Sequence, residues 1–164
     1  MQQVADLDVT LTRLLETART VLDARYAALG IINHERVRLA HFIVSGLDGR
    51  DRAGIDGLPR GRGVLGLLIE EPVPLRIEDL TGDPRSYGFP VGHPVMRSFL
   101  GVPVLIDGEP WGNLYFTEKR SGAFDRADEF AAMAFAERVA ALIEADTRPC
   151  PPDAASAGDP GTSE

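Results

Sequence analysis

The sequence predicts an α/β (α+β) fold: a central, mainly antiparallel sheet with the terminal helices on one face and a ligand pocket under loops on the other. Three observations lead there. Apolar residues recur at helical spacing near both ends of the chain. The apolar runs between them have strand length and are joined by turns rich in Gly, Asp and Asn. One long irregular stretch, residues 78–97, interrupts the pattern, and loops of that length in a compact domain usually have a task. A chain of 164 residues, 44% hydrophobic and 26% charged, has the composition of a soluble globular protein and the length to bury one core. The folded domain is expected over residues 1–146, followed by a disordered Pro/Ala/Gly/Ser-rich tail over 147–164.

Taken in order, Asp6 or Asp8 caps a first helix that runs to about Ala24, with Leu7, Leu11, Leu14, Leu15, Ala18, Val21 and Leu22 on one stripe. Tyr26 to Ile32 reads as a buried strand, Asn33 to Arg36 as a turn, and Val37 to Ser45 as the antiparallel partner. Residues 46–63 suit a loop, and Gly63 to Glu70 a short buried helix. Pro72 and Pro74 end that helix and lead into a strand over Val73 to Ile77. Ser98 to Ile106 and Trp111 to Thr117 form a second hairpin, turned by Asp107-Gly108-Glu109-Pro110. Asp125 caps the last helix, which reaches about Ala145 on a core stripe of Phe130, Met133, Val139, Leu142 and Ile143.

Composition narrows the function classes. A formal net charge of −8, with Lys and Arg spread along the chain, argues against a nucleic-acid surface. No run approaches the length of a membrane span, and the N-terminus lacks the basic start and apolar core of a secretory signal, so the expected location is cytoplasmic. The one cysteine, Cys150, lies in the tail, which rules out an internal disulfide, a cysteine-based metal cluster and covalent haem attachment. No Ser-His-Asp ordering, carboxylate pair at a strand end or phosphate loop is present, so an enzyme is not expected.

The residues that draw attention lie in and after the long loop. His93 is one of three histidines and sits among glycines and prolines just before an apolar strand. A neutral imidazole suits a haem iron, and it equally suits a capping or core role with a backbone partner. Tyr115 and Asn113 share one face of the following strand under strict alternation. Gly63 and Gly66 leave room for close approach to the backbone, either of another element or of a flat ligand.

Phe99-Leu100-Gly101-Val102-Pro103-Val104 followed by Trp111-Gly112-Asn113-Leu114-Tyr115-Phe116, in this element order, resembles a GAF domain over about residues 5–146. Leu58-Pro59-Arg60-Gly61, the helix over 63–69, Gly88-Phe89-Pro90 and His93-Pro94-Val95-Met96-Arg97 are similar to the haem-carrying GAF domains of actinobacterial oxygen- and redox-sensing histidine kinases, the DevS/DosT type. That resemblance implies noncovalent haem b, iron protoporphyrin IX, with His93 as the proximal iron ligand and Tyr115 as the distal hydrogen-bond donor. It further implies a diatomic gas ligand, oxygen, nitric oxide or carbon monoxide, or a redox signal. Arg97 becomes a propionate partner or a surface ion pair, and His41, on a strand where the family often has histidine, a pocket residue or a structural one. Two departures stand out: Val95 replaces the second proline usual after the histidine, and Gly57 stands where related domains present a polar side chain.

Two other readings are carried. Lys119, Phe124, Asp128 and Glu129 have the spacing of the cyclic-nucleotide GAF signature, with Glu118 in place of its asparagine; helix capping and salt bridges account for the same residues. The third is a ligand-free module that forms a homodimer through its terminal helices. Covalent bilin attachment, known in another branch, is set aside because the one thiol, Cys150, lies beyond the last helix, and free methionine sulfoxide reduction needs several cysteines. Signal output is expected to pass to a second copy or to a downstream partner that the sequence does not name.

Overall fold

The structure, a computed structural model, describes residues 2–33, 35, 39–47, 64–86 and 94–147. Along the chain these form α1 (Gln2–Val21), β1 (Ala24–Ile32), β2 (Leu39–Ser45), α2 (Val64–Glu70), β3 (Leu75–Ile77), β4 (Phe99–Ile106), β5 (Glu109–Lys119) and α3 (Arg126–Thr147). The tail expected beyond 147 lies outside the described residues. The strands make one five-stranded sheet in the order β2-β1-β5-β4-β3, and every neighbouring pair is antiparallel. The expected architecture is therefore the observed one.

Alternation along the central strands sorts the core into two layers. Ala27, Leu29 and Ile31 of β1, Leu100, Val102 and Val104 of β4, and Leu114 and Phe116 of β5 turn toward α1 and α3. Tyr26, Phe99 and Tyr115 turn the other way, toward Leu68 of α2 and the chain that follows β3. The larger cluster is a helix-on-sheet core, and both terminal helices lie on that one face and against each other, as the sequence indicated.

The helices meet the sheet through stripes set slightly differently from those read in the sequence. In α1, Leu7, Leu11, Leu15 and Ala18, with Leu22 just beyond, are buried, whereas Val21 is 61% exposed. In α3 the buried residues are Ala132, Ala136, Val139, Ala140 and Ile143, and Phe130 is 68% exposed. Three alanines on the buried side let α3 approach the sheet closely; Phe130 falls more than a third of a turn off that line and lies beside the Arg126 guanidinium instead.

Chain ends and turns show the same mix. Because α1 already runs from Gln2, Asp6 and Asp8 are helix-interior residues and neither caps it. The β4–β5 turn is two residues long, Asp107 and Gly108 both having positive φ as a type I′ turn requires, so Glu109 and Pro110 belong to β5. Asp125 does cap α3: its Oδ1 accepts the Asp128 N–H at 2.9 Å, and Asp128 Oδ2 accepts the Asp125 N–H at 2.8 Å, a reciprocal capping box. The Asp128 N–H bond holds the Asp125 carboxyl below the usual carboxylate range. A carboxylate depressed in this way stabilises the fold above its unfolded pKa of about 3.9 and loses that contribution as pH falls through the folded value. Asp125→Asn, which keeps the cap without titrating, is therefore expected to flatten the loss of helicity in circular dichroism below about pH 4; an acid transition identical to wild type would contradict this.

Candidate functional site

The sheet face turned away from the terminal helices carries polar groups along its central strand. Asn113, Tyr115 and Thr117 of β5 follow one another there. Each has a strand neighbour on both sides: Gly30 and Pro103 flank Asn113, Ala28 and Gly101 flank Tyr115, and Tyr26 and Phe99 flank Thr117. The phenol and the amide thus stand between rows of residues with little side-chain bulk. Larger apolar groups, Leu68, Ile77, Leu80, Met96 and Phe99, close around the Tyr115 end.

Tyr115 stacks on Phe99 with ring centroids 6.1 Å apart and an interplanar angle of 24°. The residue keeps some exposed surface, but protein surrounds the hydroxyl, and this desolvation pushes its ionisation above the ordinary tyrosine range. The phenol is consequently a protonated hydrogen-bond donor at any physiological pH. Gly101 sets the spacing next to it. A Cβ at 101 would lie 2.6 Å from Leu68 Cδ1 and 2.8 Å from Phe99 Cζ, so α2 rests on the sheet beside Tyr115 because that position has no side chain.

The segment 94–97 enters this face just before β4. Met96 is buried in the same cluster as Tyr115, and its sulfur accepts the Thr117 hydroxyl at 3.2 Å. Arg97 is held through its backbone: its carbonyl accepts the Leu80 N–H at 2.8 Å, and its N–H donates to Glu118 Oε1. The Arg97 side chain is exposed. Hydrogen bonds from the Thr81 hydroxyl and N–H hold the Asp79 carboxyl below the usual range, with a smaller contribution from the Arg97 charge. Val95, one of the two departures from the haem-domain pattern, is 62% exposed.

Of the residues singled out in the sequence, Tyr115, Asn113 and the segment leading from His93 come to one face. His93 itself, Gly63 and Gly57 lie outside the described residues, as do residues 58–61 and 88–90. Gly66 is in α2, the helix that covers this face. His41 is elsewhere: it pairs with Ile31 on the helix-covered side, and its Nδ1 lies 2.7 Å from Asp8 Oδ1 of α1. It joins α1 to the sheet edge. Sequence reasoning did not single out Leu68 or Glu118 for the roles they take. The first could be sought from Gly101, a strand glycine flagging a close approach; nothing local marks the second.

The four residues of the nucleotide-type spacing lie where β5 and β3 meet the start of α3. Lys119 Nζ lies 2.6 Å and 2.7 Å from the two Asp128 carboxylate oxygens and 5.7 Å from the Phe124 ring centroid, while Glu129 Oε2 accepts from Arg76 Nε at 2.8 Å. All four are engaged in fastening strand to helix. Among the described residues, no group of three or more His, Cys, Asp or Glu side chains is placed to hold a metal ion, and no helix is long and apolar enough to cross a membrane.

A family model described as a GAF domain matches residues 4–144. Among solved structures, the GAF domain of a phosphoenolpyruvate-protein phosphotransferase from Coxiella burnetii is 25% identical, with a TM-score of 0.71 over 85% of this chain and 83% of that one. The corresponding GAF domain from Acinetobacter is 20% identical, TM-score 0.70, over 85% and 82%. A free methionine-R-sulfoxide reductase from Neisseria meningitidis, solved with its substrate, is 18% identical, TM-score 0.68, over 85% and 79%.

Proposed function

Because this chain belongs to the GAF domain family, a family of small-molecule sensing and regulatory modules, we propose that it senses through haem b held on the sheet face that carries Tyr115. The observation that carries this reading is the desolvated Tyr115 phenol at the edge of an apolar cluster that also contains Met96, three residues after His93. Three residues of chain reach at most about 11 Å, which keeps His93 within range of that face. The chemistry of the residues supports a porphyrin there: an apolar surround, a phenol that stays protonated, and small neighbours at Ala28 and Gly30.

In this reading His93 would supply a nitrogen ligand to the iron and Tyr115 a hydrogen-bond donor to what the iron binds. Haem, when bound, supplies an iron that takes a diatomic gas or changes redox state. Tyr115 orients its O–H toward a small polar ligand, and Leu68 and Phe99 keep water from its ring. His41, tied to Asp8 on the other face, takes no part. The function is sensing rather than catalysis, with output leaving through the terminal helices to a second copy or a partner protein.

The test is an absorption spectrum of the protein reconstituted with haemin, beside His93→Ala and Tyr115→Phe. Wild type is expected to show a coordinated spectrum that His93→Ala loses. Tyr115→Phe is expected to keep haemin and to change gas affinity or autoxidation. Spectra for wild type and His93→Ala that match each other, or match free haemin, would overturn the ligation, and unchanged gas kinetics would remove Tyr115 from the site.

A further inference from the structure

At Glu118 the pleat of β5 is inverted. The residue has φ 57°, the left-handed region that a glutamate enters only at a cost. On the opposing chain a single residue, Ser98, meets two from β5: its carbonyl accepts the Glu118 N–H at 3.0 Å and its hydroxyl accepts the Lys119 N–H at 2.9 Å. Strand β1 shows the same break, since Ala24 and Ala27 face the terminal helices while Tyr26 faces the other layer. The inversion puts Lys119 on the terminal-helix side, opposite Thr117, where regular alternation would give the two one face. Glu118 reaches the backbone N–H of Arg97, in the segment that follows His93, and Lys119 reaches Asp128 in the first turn of α3.

We propose that Glu118 is a positioning residue that couples the 94–97 segment to the N-terminus of α3, so that displacement of that segment is passed through the left-handed Glu118 and its neighbour Lys119 to the terminal helix. The route is made of described bonds: Arg97 N–H to Glu118, Glu118 to Lys119 along the strand, Lys119 to Asp128, and Asp128 to the N–H of Asp125. A residue that only terminated the strand would be better served by Gly or Asn at this backbone angle. The carboxylate at 118 makes sense as a clip on Arg97. The functional meaning rests on the haem reading of the preceding histidine; the linkage itself does not.

The first measurement therefore needs no ligand. In native-state hydrogen exchange of the full chain, Glu118→Ala is expected to speed exchange roughly tenfold at the Arg97 amide and also at the Asp128 and Glu129 amides of α3. Glu118→Gln, whose side-chain carbonyl can accept the same bond, is expected to restore both, and Leu114 and Phe116 amides in the central strand are expected to stay as in wild type. A change at Arg97 alone, a change spread over the whole sheet, or failure of Gln to restore would each overturn the coupling. With haemin bound, wild type is expected to change protection at Asp128 and Glu129 and Glu118→Ala is not. An equal change in both would refute the relay even where the His93→Ala spectrum upholds the ligation, and the ligand-free result stands or falls separately if that spectrum does not.

Discussion

Gly112→Ala is expected to cost about 3–4 kcal/mol of unfolding free energy and to lower Tm by about 10 °C. A Cβ at this position would lie 2.1 Å from the Gly30 carbonyl oxygen, 2.8 Å from Ile31 Cδ1 and 3.0 Å from Ile31 Cα. Two of those three are backbone atoms of β1, the strand hydrogen-bonded to β5 along the middle of the sheet. Neither chain can yield alone, because β1 is also fixed by β2 on its other side and β5 by β4. Gly101 provides the contrast. There the encroached atoms are the ends of the Leu68 and Phe99 side chains, which can rotate, so the same substitution should cost about 1–2 kcal/mol and act mainly by lifting α2 from the sheet near Tyr115. Urea unfolding of both variants checks the order; equal losses would show that the strand backbones give as readily as side chains do.

That asymmetry also explains what could be read without coordinates. Helix and strand order, the side of β5 on which Tyr115 lies, and the Asp125 cap follow from spacing and local chemistry, which act within a few residues. Phe130 shows where such rules stop. Periodicity identifies a helix but leaves its rotation to the partner surface, and here the sheet takes the alanine side of α3 rather than the aromatic one. His41 shows a second limit. Either parity of Leu39-Ala40-His41-Phe42-Ile43-Val44 reads as a strand, and the face is decided by pairing with Ile31, next to a register shift at Ile32, and by Asp8 on a distant helix. In the site, alternation was enough to bring Asn113 and Tyr115 together. It could not show Glu118, because a left-handed residue reverses the very alternation on which the reading depends.

Lys119→Met is expected to lower stability by about 3 kcal/mol. The ammonium and the Asp128 carboxylate are 14% and 12% exposed at the side chain and bonded through both oxygens, so removing the charge leaves a largely enclosed carboxylate without its counterion. Methionine keeps the approximate length of the stem, so the loss falls on the charge: the ion pair and the ammonium's contact with the Phe124 ring. Asp128 would retain the Asp125 N–H, so α3 should stay capped and its helicity should persist below the unfolding transition. Replacing the carboxylate as well, in Lys119→Met with Asp128→Asn, preserves an acceptor for that N–H while removing the stranded charge. The double variant is therefore expected to recover most of the loss. Urea titration of the two variants decides the matter: a single variant within about 0.5 kcal/mol of wild type would mean that solvent already screens the pair, and a double variant no better than the single would place the cost in the lost packing of the lysine stem instead of the charge.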